Sequence, residues 1–242
     1  MLSGNLRELE ELSPSVRDHV IKALIALSKY LGMYLEFKEH LERYGIKWVR
    51  PDSFMSFLRI FNSNNKNVLE WYSSAIPNLE SNGKLLLKYL LHSGLRKEEA
   101  IKSFNLIVKL HSENRLNEYY DQTLKCLCHF KYPKDFLRNT KNVYVTFITE
   151  ELLSQIAKSK PITYESIRKK LSRKNIPVKI NELRDYYATY LLNHGILHPE
   201  IDLLQGRIPP SIFIKHYWSP RLSELRDRTL EALKQLEQAL GF

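Results

Sequence analysis

The stretch Leu204-Gln205-Gly206-Arg207-Ile208-Pro209-Pro210-Ser211-Ile212-Phe213-Ile214-Lys215-His216-Tyr217-Trp218 decides how this chain is read. It sets Arg207 after a glycine, in a tight break between two short helical patterns, with Tyr217 ten residues further on. Taken alone, Tyr217 is one of 14 tyrosines, and a tyrosine closing off a core would read the same. Two upstream segments change that. Ser93-Gly94-Leu95-Arg96-Lys97-Glu98-Glu99-Ala100 places Arg96 at a helix start with Glu99 one turn on. Asn181-Glu182-Leu183-Arg184-Asp185-Tyr186-Tyr187-Ala188-Thr189 puts Asn181 and Arg184 on one helix face beside Ala188, while Ile180, Leu183, Tyr187 and Leu191 form the apolar side. Arginine presents planar, fixed donors to phosphate oxygens, and a tyrosine hydroxyl can attack a phosphate and hold it covalently. Three arginines and a tyrosine in this order point to phosphate chemistry.

The bulk properties agree. At 242 residues, 43% hydrophobic and 26% charged, the chain is an ordinary globular one with room for one large domain or two small ones. Its 37 Lys+Arg against 27 Asp+Glu give +10, which suits a polyanion, whether DNA, RNA or an anionic membrane. No apolar run approaches the roughly 18 residues needed to span a bilayer, and the first residues do not read as a secretory leader. Cys126 and Cys128 stand on one face of a strand, a spacing that disfavours a disulfide and is too few ligands for structural zinc. They read as packed, reduced thiols, and the expected compartment is a reducing cytoplasm.

The fold class expected is mainly α with a small antiparallel β-sheet, in two domains, 1–78 and 79–242. Ser13-Pro14-Ser15 opens a helix with Val20, Ala23, Leu24, Leu27 and Leu31 at helical spacing, and further helices are expected over 33–44, 52–61 and 67–74. Beyond Ser81-Asn82-Gly83, helices are expected over 84–91 and 96–110 and strands over 123–130 and 143–148. The basic stretch 131–142 joins the strands. The remainder reads helical over 150–159, 163–172, 180–194, 199–204, 210–216 and 220–240. The last of these has Ser219 as N-cap and Pro220 at its first position, and its leucines suit either its own domain or a neighbouring protomer.

Arg96 with its Gly-Leu lead, Asn181-x-x-Arg184, Gly206-Arg207 and Tyr217, with a helix–hairpin–helix scaffold between them, resemble the tyrosine recombinases, the phage-type integrases. The 204–218 segment is most similar to the branch carried by archaeal viruses and plasmids. The resemblance covers about residues 79–242, and the segment 1–78 resembles a reduced core-binding, DNA-binding domain. It implies that Tyr217 is the nucleophile, giving a 3′-phosphotyrosyl link and a free 5′-hydroxyl. Arg96, Arg184 and Arg207 would clamp the scissile phosphate, Glu99 would brace an arginine, and a hairpin lysine would be the general acid. Lys141, just before the second strand, fits best, with Lys134 and Lys131 as alternatives. Asn181 stands where many relatives carry His. It can hydrogen-bond a phosphate oxygen but cannot accept a proton at neutral pH, leaving Lys179 or His216 to share any general-base duty.

The resemblance implies no metal, ATP or other cofactor. The expected partners are double-stranded DNA attachment sites, with a homotetramer on synapsed DNA, a monomer or dimer in solution, and no membrane. Basic side chains such as Lys169, Lys170, Arg173 and Lys174 would hold the duplex by its phosphates. Two other readings remain: a non-catalytic DNA-binding protein on the same fold, and a tyrosine topoisomerase acting singly. Tyr190 and Tyr186 are the next nucleophiles in line.

Overall fold

Strand and helix periodicities resolve into a mainly helical protein with a three-stranded antiparallel sheet. The computed structural model describes residues 6–46, 66–138, 142–208, 216 and 219–240. The chain divides into two compact units, Met1–Ser63 and Asn64–Phe242. The smaller holds a 3-10 turn (Arg7–Leu9), α1 (Pro14–Tyr30) and α2 (Tyr34–Arg43), with proline opening α1 where its missing N–H costs nothing. Its core is Leu6, Leu9, Ile21, Leu24, Ile25, Phe37 and Leu41. Leu27 and Leu31, which share the helical spacing, stay about half exposed. The helix expected over 52–61 lies outside the described residues.

The larger unit runs α3 (Lys66–Ala75), α4 (Ser81–Ser93), α5 (Lys97–Ser112), β1 (Tyr120–Asp121), β2 (Cys126–Cys128), α6 (Pro133–Phe136), β3 (Val145–Phe147), α7 (Glu150–Ala157), α8 (Tyr164–Arg173), α9 (Glu182–Asn193), α10 (His198–Leu204) and α11 (Leu222–Leu240). Val68, Trp71, Tyr72 and Ala75 of α3 are buried in its core, and Trp71 Nε1 donates to the Pro177 carbonyl at 2.6 Å. The division therefore falls before α3 rather than at the expected 78/79 boundary. The apolar face of α3 has its partners downstream.

The sheet has the order β1-β2-β3, with Cys126 opposite Phe147 and Cys128 opposite Val145. Its strands are shorter than the branched, aromatic runs suggest. Lys125, at φ +48, closes the β1–β2 turn, and His129–Lys131 coils into a 3-10 turn before Pro133 opens α6. Cys126 and Cys128 are free and buried, and burial beside a second thiol pushes the Cys126 thiol up to about 12. That keeps it protonated and unreactive.

The last helix begins at Leu222, so Ser219 and Pro220 precede it instead of capping it. Leu225, Ala232, Leu233 and Leu236 are buried in the core of the unit that carries them. Each leucine contributes about 2 kcal/mol by leaving water. Polar ties reinforce this: Arg228 to Glu200 at 2.5 Å, Arg226 Nη1 to the Thr123 carbonyl at 2.7 Å, and Lys88 to Glu237 at 3.0 Å. α11 thus packs on its own unit. Among the described residues no helix is long and apolar enough to cross a membrane.

Candidate active site

Arg96 projects from the junction of α4 and α5. Gly94 ends α4 in the left-handed region, at φ +58, and a Cβ there would lie 2.2 Å from Tyr187 Cδ1 on α9. Only glycine satisfies both the backbone and that close approach. Leu95 then turns inward and is buried, which leaves Arg96 facing out at the first cap position of α5. Glu99, 1% exposed, accepts from the Arg96 backbone N–H at 3.1 Å and from Arg96 Nη1 at 2.7 Å. The carboxylate braces the guanidinium from below, as the sequence reading expects.

Behind this junction a chain of buried hydroxyls joins α4 and α5 to the sheet. Tyr89 meets Ser103 at 2.6 Å, Ser103 meets Tyr119 at 2.9 Å, Tyr119 meets His129 Nδ1 at 2.6 Å, and His129 Nε2 meets Thr146 at 2.8 Å. A neutral imidazole, with one donor and one acceptor nitrogen, lets every bond in the chain run in one direction. Burial pulls His129 down to about 3, so it is neutral at ordinary pH.

Arg184 lies in the first turn of α9 and is 8% exposed. Its Nη1 donates to the Gly94 carbonyl at 2.6 Å and its Nη2 to the Gln205 carbonyl at 2.9 Å. Those carbonyls lie two residues before Arg96 and two before Arg207, so one guanidinium ties together the loops that carry the other two. Gln205 is itself buried, and its side-chain amide donates back to the Arg184 carbonyl at 3.1 Å. Burial, with the positive charges of Arg96 and Arg207 close by, draws Arg184 down to about 10. It remains fully charged at neutral pH, with three of its five donors available beyond these two bonds.

Arg207 follows α10 through a Schellman ending: Gly206 N–H donates to the Leu203 carbonyl at 2.9 Å and Arg207 N–H to the Asp202 carbonyl at 2.7 Å. Gly206, at φ +72, presses on the end of the hairpin so closely that a Cβ would fall 1.7 Å from the Asn142 carbonyl oxygen. The Arg207 side chain is 56% exposed and loosely paired, 3.5 Å from Asp202. The structure thereby brings Arg96, Arg184 and Arg207 together with the hairpin end at Asn142.

The other expected residues fall as follows. Asn181 is exposed at the start of α9 and makes no capping bond, so it shares a turn with Arg184 but not its burial. Lys179 lies 3.8 Å from Glu182, and His216 is helical and exposed. Lys131 and Lys134 are exposed on the turn and short helix that precede the hairpin end. Tyr190 donates its hydroxyl to the Ala232 carbonyl at 3.1 Å, and burial raises the pKa of both Tyr190 and Tyr186, which makes them poor nucleophiles. Lys141 and Tyr217 lie outside the described residues, as does the helix expected over 210–216 apart from His216. Sequence reasoning missed the carbonyls of Gly94 and Gln205, Asp202, and a fourth arginine, Arg138, whose Nη2 meets Glu99 Oε1 at 3.1 Å.

Against known protein families, the archaeal phage integrase model matches residues 60–224, more than half of the chain. The chain belongs to the archaeal phage integrase family. That match opens next to the start of the larger unit at Asn64 and closes within the first turn of α11. Every arginine of the site falls inside it. Membership of this integrase family makes DNA the substrate. No curated protein and no solved structure matches the chain significantly.

Proposed function

We propose that the chain is a site-specific recombinase that cuts and rejoins DNA through a 3′-phosphotyrosyl intermediate on Tyr217. The phenolic oxygen attacks phosphorus, the bond from phosphorus to the 5′-oxygen breaks, and the phenol proton leaves to solvent or a nearby base. The 5′-oxygen departs with a proton supplied by Lys141. Attack by the freed 5′-hydroxyl of another strand reverses the step, so the bond energy is conserved and no ATP is consumed. Arg96, Arg184 and Arg207 donate to the non-bridging oxygens, where negative charge grows as phosphorus becomes five-coordinate. Asn181 adds a neutral donor. The observation that carries this reading is the Arg184 guanidinium bonded to the backbone just before each of the other two arginines.

Lys141 is favoured over Lys131 and Lys134 because its neighbour Asn142 rests on Gly206, beside Arg207. The smaller N-terminal unit is read as a second DNA-contacting element, and integration or excision would use four copies on two synapsed attachment sites. A topoisomerase would need only one copy and no pair of sites.

The test is a denaturing trap for covalent protein–DNA adducts on DNA that includes the sequence flanking the gene, comparing the wild type with Tyr217→Phe. An adduct at one mapped 3′ end, absent in the variant, is expected. An adduct that persists in the variant moves the nucleophile elsewhere. Tight binding with no adduct in either protein favours a non-catalytic DNA-binding role on this fold.

A further inference from the structure

Arg138 has no part in the phosphate grip described above, yet the fold ties it to that place twice. Its Nη2 donates to Glu99 Oε1 at 3.1 Å, the same oxygen that accepts from Arg96 Nη1 at 2.7 Å. Its backbone N–H donates to Asn142 Oδ1 at 2.7 Å, and Leu137 beside it bridges to Asn142, the residue that Gly206 presses against. One tie runs through the start of α5 and the other through the end of the hairpin.

Glu99 does not need this second guanidinium. Arg96 already gives the buried carboxylate an ion pair and a backbone N–H donor. One carboxylate shared between two guanidinium groups leaves one positive charge uncompensated at the rim. The Arg138 side chain is 47% exposed, against 1% for Glu99, so its remaining donors face solvent while its direction is held from below. A directed, half-exposed, surplus positive charge beside the proposed phosphate-binding cluster suits a second phosphate better than a stability role, since Arg96 already pairs the buried Glu99.

We infer that Arg138 is a further DNA-contacting residue, which binds a backbone phosphate next to the one gripped by Arg96, Arg184 and Arg207. The inference rests on DNA as the partner and not on the cleavage chemistry. Its test is equilibrium binding of a short random-sequence duplex by the whole chain across a KCl series. Wild type, Arg138→Lys, Arg138→Gln and Arg138→Met are compared, with thermal melts alongside. Each phosphate contact adds about 0.9 to the slope of log K against log salt.

Arg138→Gln keeps a donor for Glu99 and Arg138→Met keeps the apolar stem, while both remove the charge. Both are expected to lower the slope by about 0.9, and Arg138→Lys is expected to hold it. Wild-type slopes in the two neutral variants would overturn the inference and leave Arg138 as a brace for Glu99. Unfolding of both neutral variants would overturn it too, because it would mark a structural role. Failure of the recombinase reading shows in the adduct trap, and absence of salt-dependent binding by the wild type refutes DNA as the partner. These failures are separable from a failure at Arg138.

Discussion

Gly206→Ala is the sharpest probe of the site, because the structure supplies its own control in Gly195→Ala. Both glycines follow a helix end in the left-handed region, at φ +72 and +80. A Cβ on Gly195 meets nothing within 4 Å, whereas one on Gly206 falls 1.7 Å from the Asn142 carbonyl oxygen and 2.8 Å from Val143 Cα. Both substitutions carry the left-handed penalty of an L-residue, about 1–2 kcal/mol. Only Gly206→Ala adds the displacement of packed backbone, about 1–3 kcal/mol more. For a unit of this size 1 kcal/mol moves the melting midpoint by about 2–4 °C. Gly195→Ala is therefore expected to lower the midpoint by about 2–8 °C and Gly206→Ala by about 4–20 °C, with the larger loss always at Gly206. Thermal melts of the two variants, run in parallel with the wild type, measure the difference. Adduct yield should fall at Gly206→Ala, which pushes Arg207 off the hairpin end, and hold at Gly195→Ala. Equal destabilisation by the two would refute the close approach of the Arg207 turn to Asn142, and with it the way the site is assembled.

Other outcomes follow from single contacts. Arg184→Lys keeps a charge but cannot span the Gly94 and Gln205 carbonyls; a stability loss of about 1–3 kcal/mol and no detectable adduct are expected, read by denaturation and the covalent trap. His129 is held near 3, below the ordinary histidine value near 6.5, so between those values the unfolded chain binds a proton that the folded chain does not. Stability therefore rises with pH across that window. His129→Gln should flatten the acid limb by one proton, about 1.4 kcal/mol per pH unit, in urea titrations from pH 7 to 4. A chain beginning at residue 79 lacks Val68, Trp71, Tyr72 and Ala75 and should fail to melt cooperatively, whereas one beginning at residue 64 should do so in calorimetry. Lys141→Ala should cleave slowly an ordinary strand but recover on a 5′-phosphorothiolate, whose sulfur leaves without a proton; no recovery would move the general acid to another residue.

The helices were legible because apolar residues recur at their own period over ten or more positions, as in α5 and α9. The arginines were legible as an ordered set. What escaped notice was carried by backbone. The carbonyls of Gly94 and Gln205 have no side-chain signature, so the cross-linking by Arg184 could not be read from residue types. Arg138 was hidden in a run of basic residues, where nothing local distinguishes a side chain seated on a buried glutamate from one in water. The apolar face of α3 announces a helix but not whose core it joins, so its packing in the larger unit could not be read from it. Ser219-Pro220 is a good start signal worth about 1 kcal/mol, less than the packing of Leu225, Leu233 and Leu236 that sets where α11 begins.

Contacts within the chain hold the arginine cluster, since Arg184 bonds the Gly94 and Gln205 carbonyls that precede Arg96 and Arg207. Three like charges stand close together, and burial first, then repulsion from Arg96 and Arg207, draws the Arg184 pKa down. A polyanion that relieves this repulsion and prefers the folded chain to the unfolded one raises the folding equilibrium. At a hundredfold excess over its dissociation constant, the gain is about 2.7 kcal/mol. Proteases that act on transiently open chains sample the unfolded fraction, and that fraction drops about a hundredfold on DNA. Resistance to added protease should therefore rise as duplex DNA is titrated into the protein.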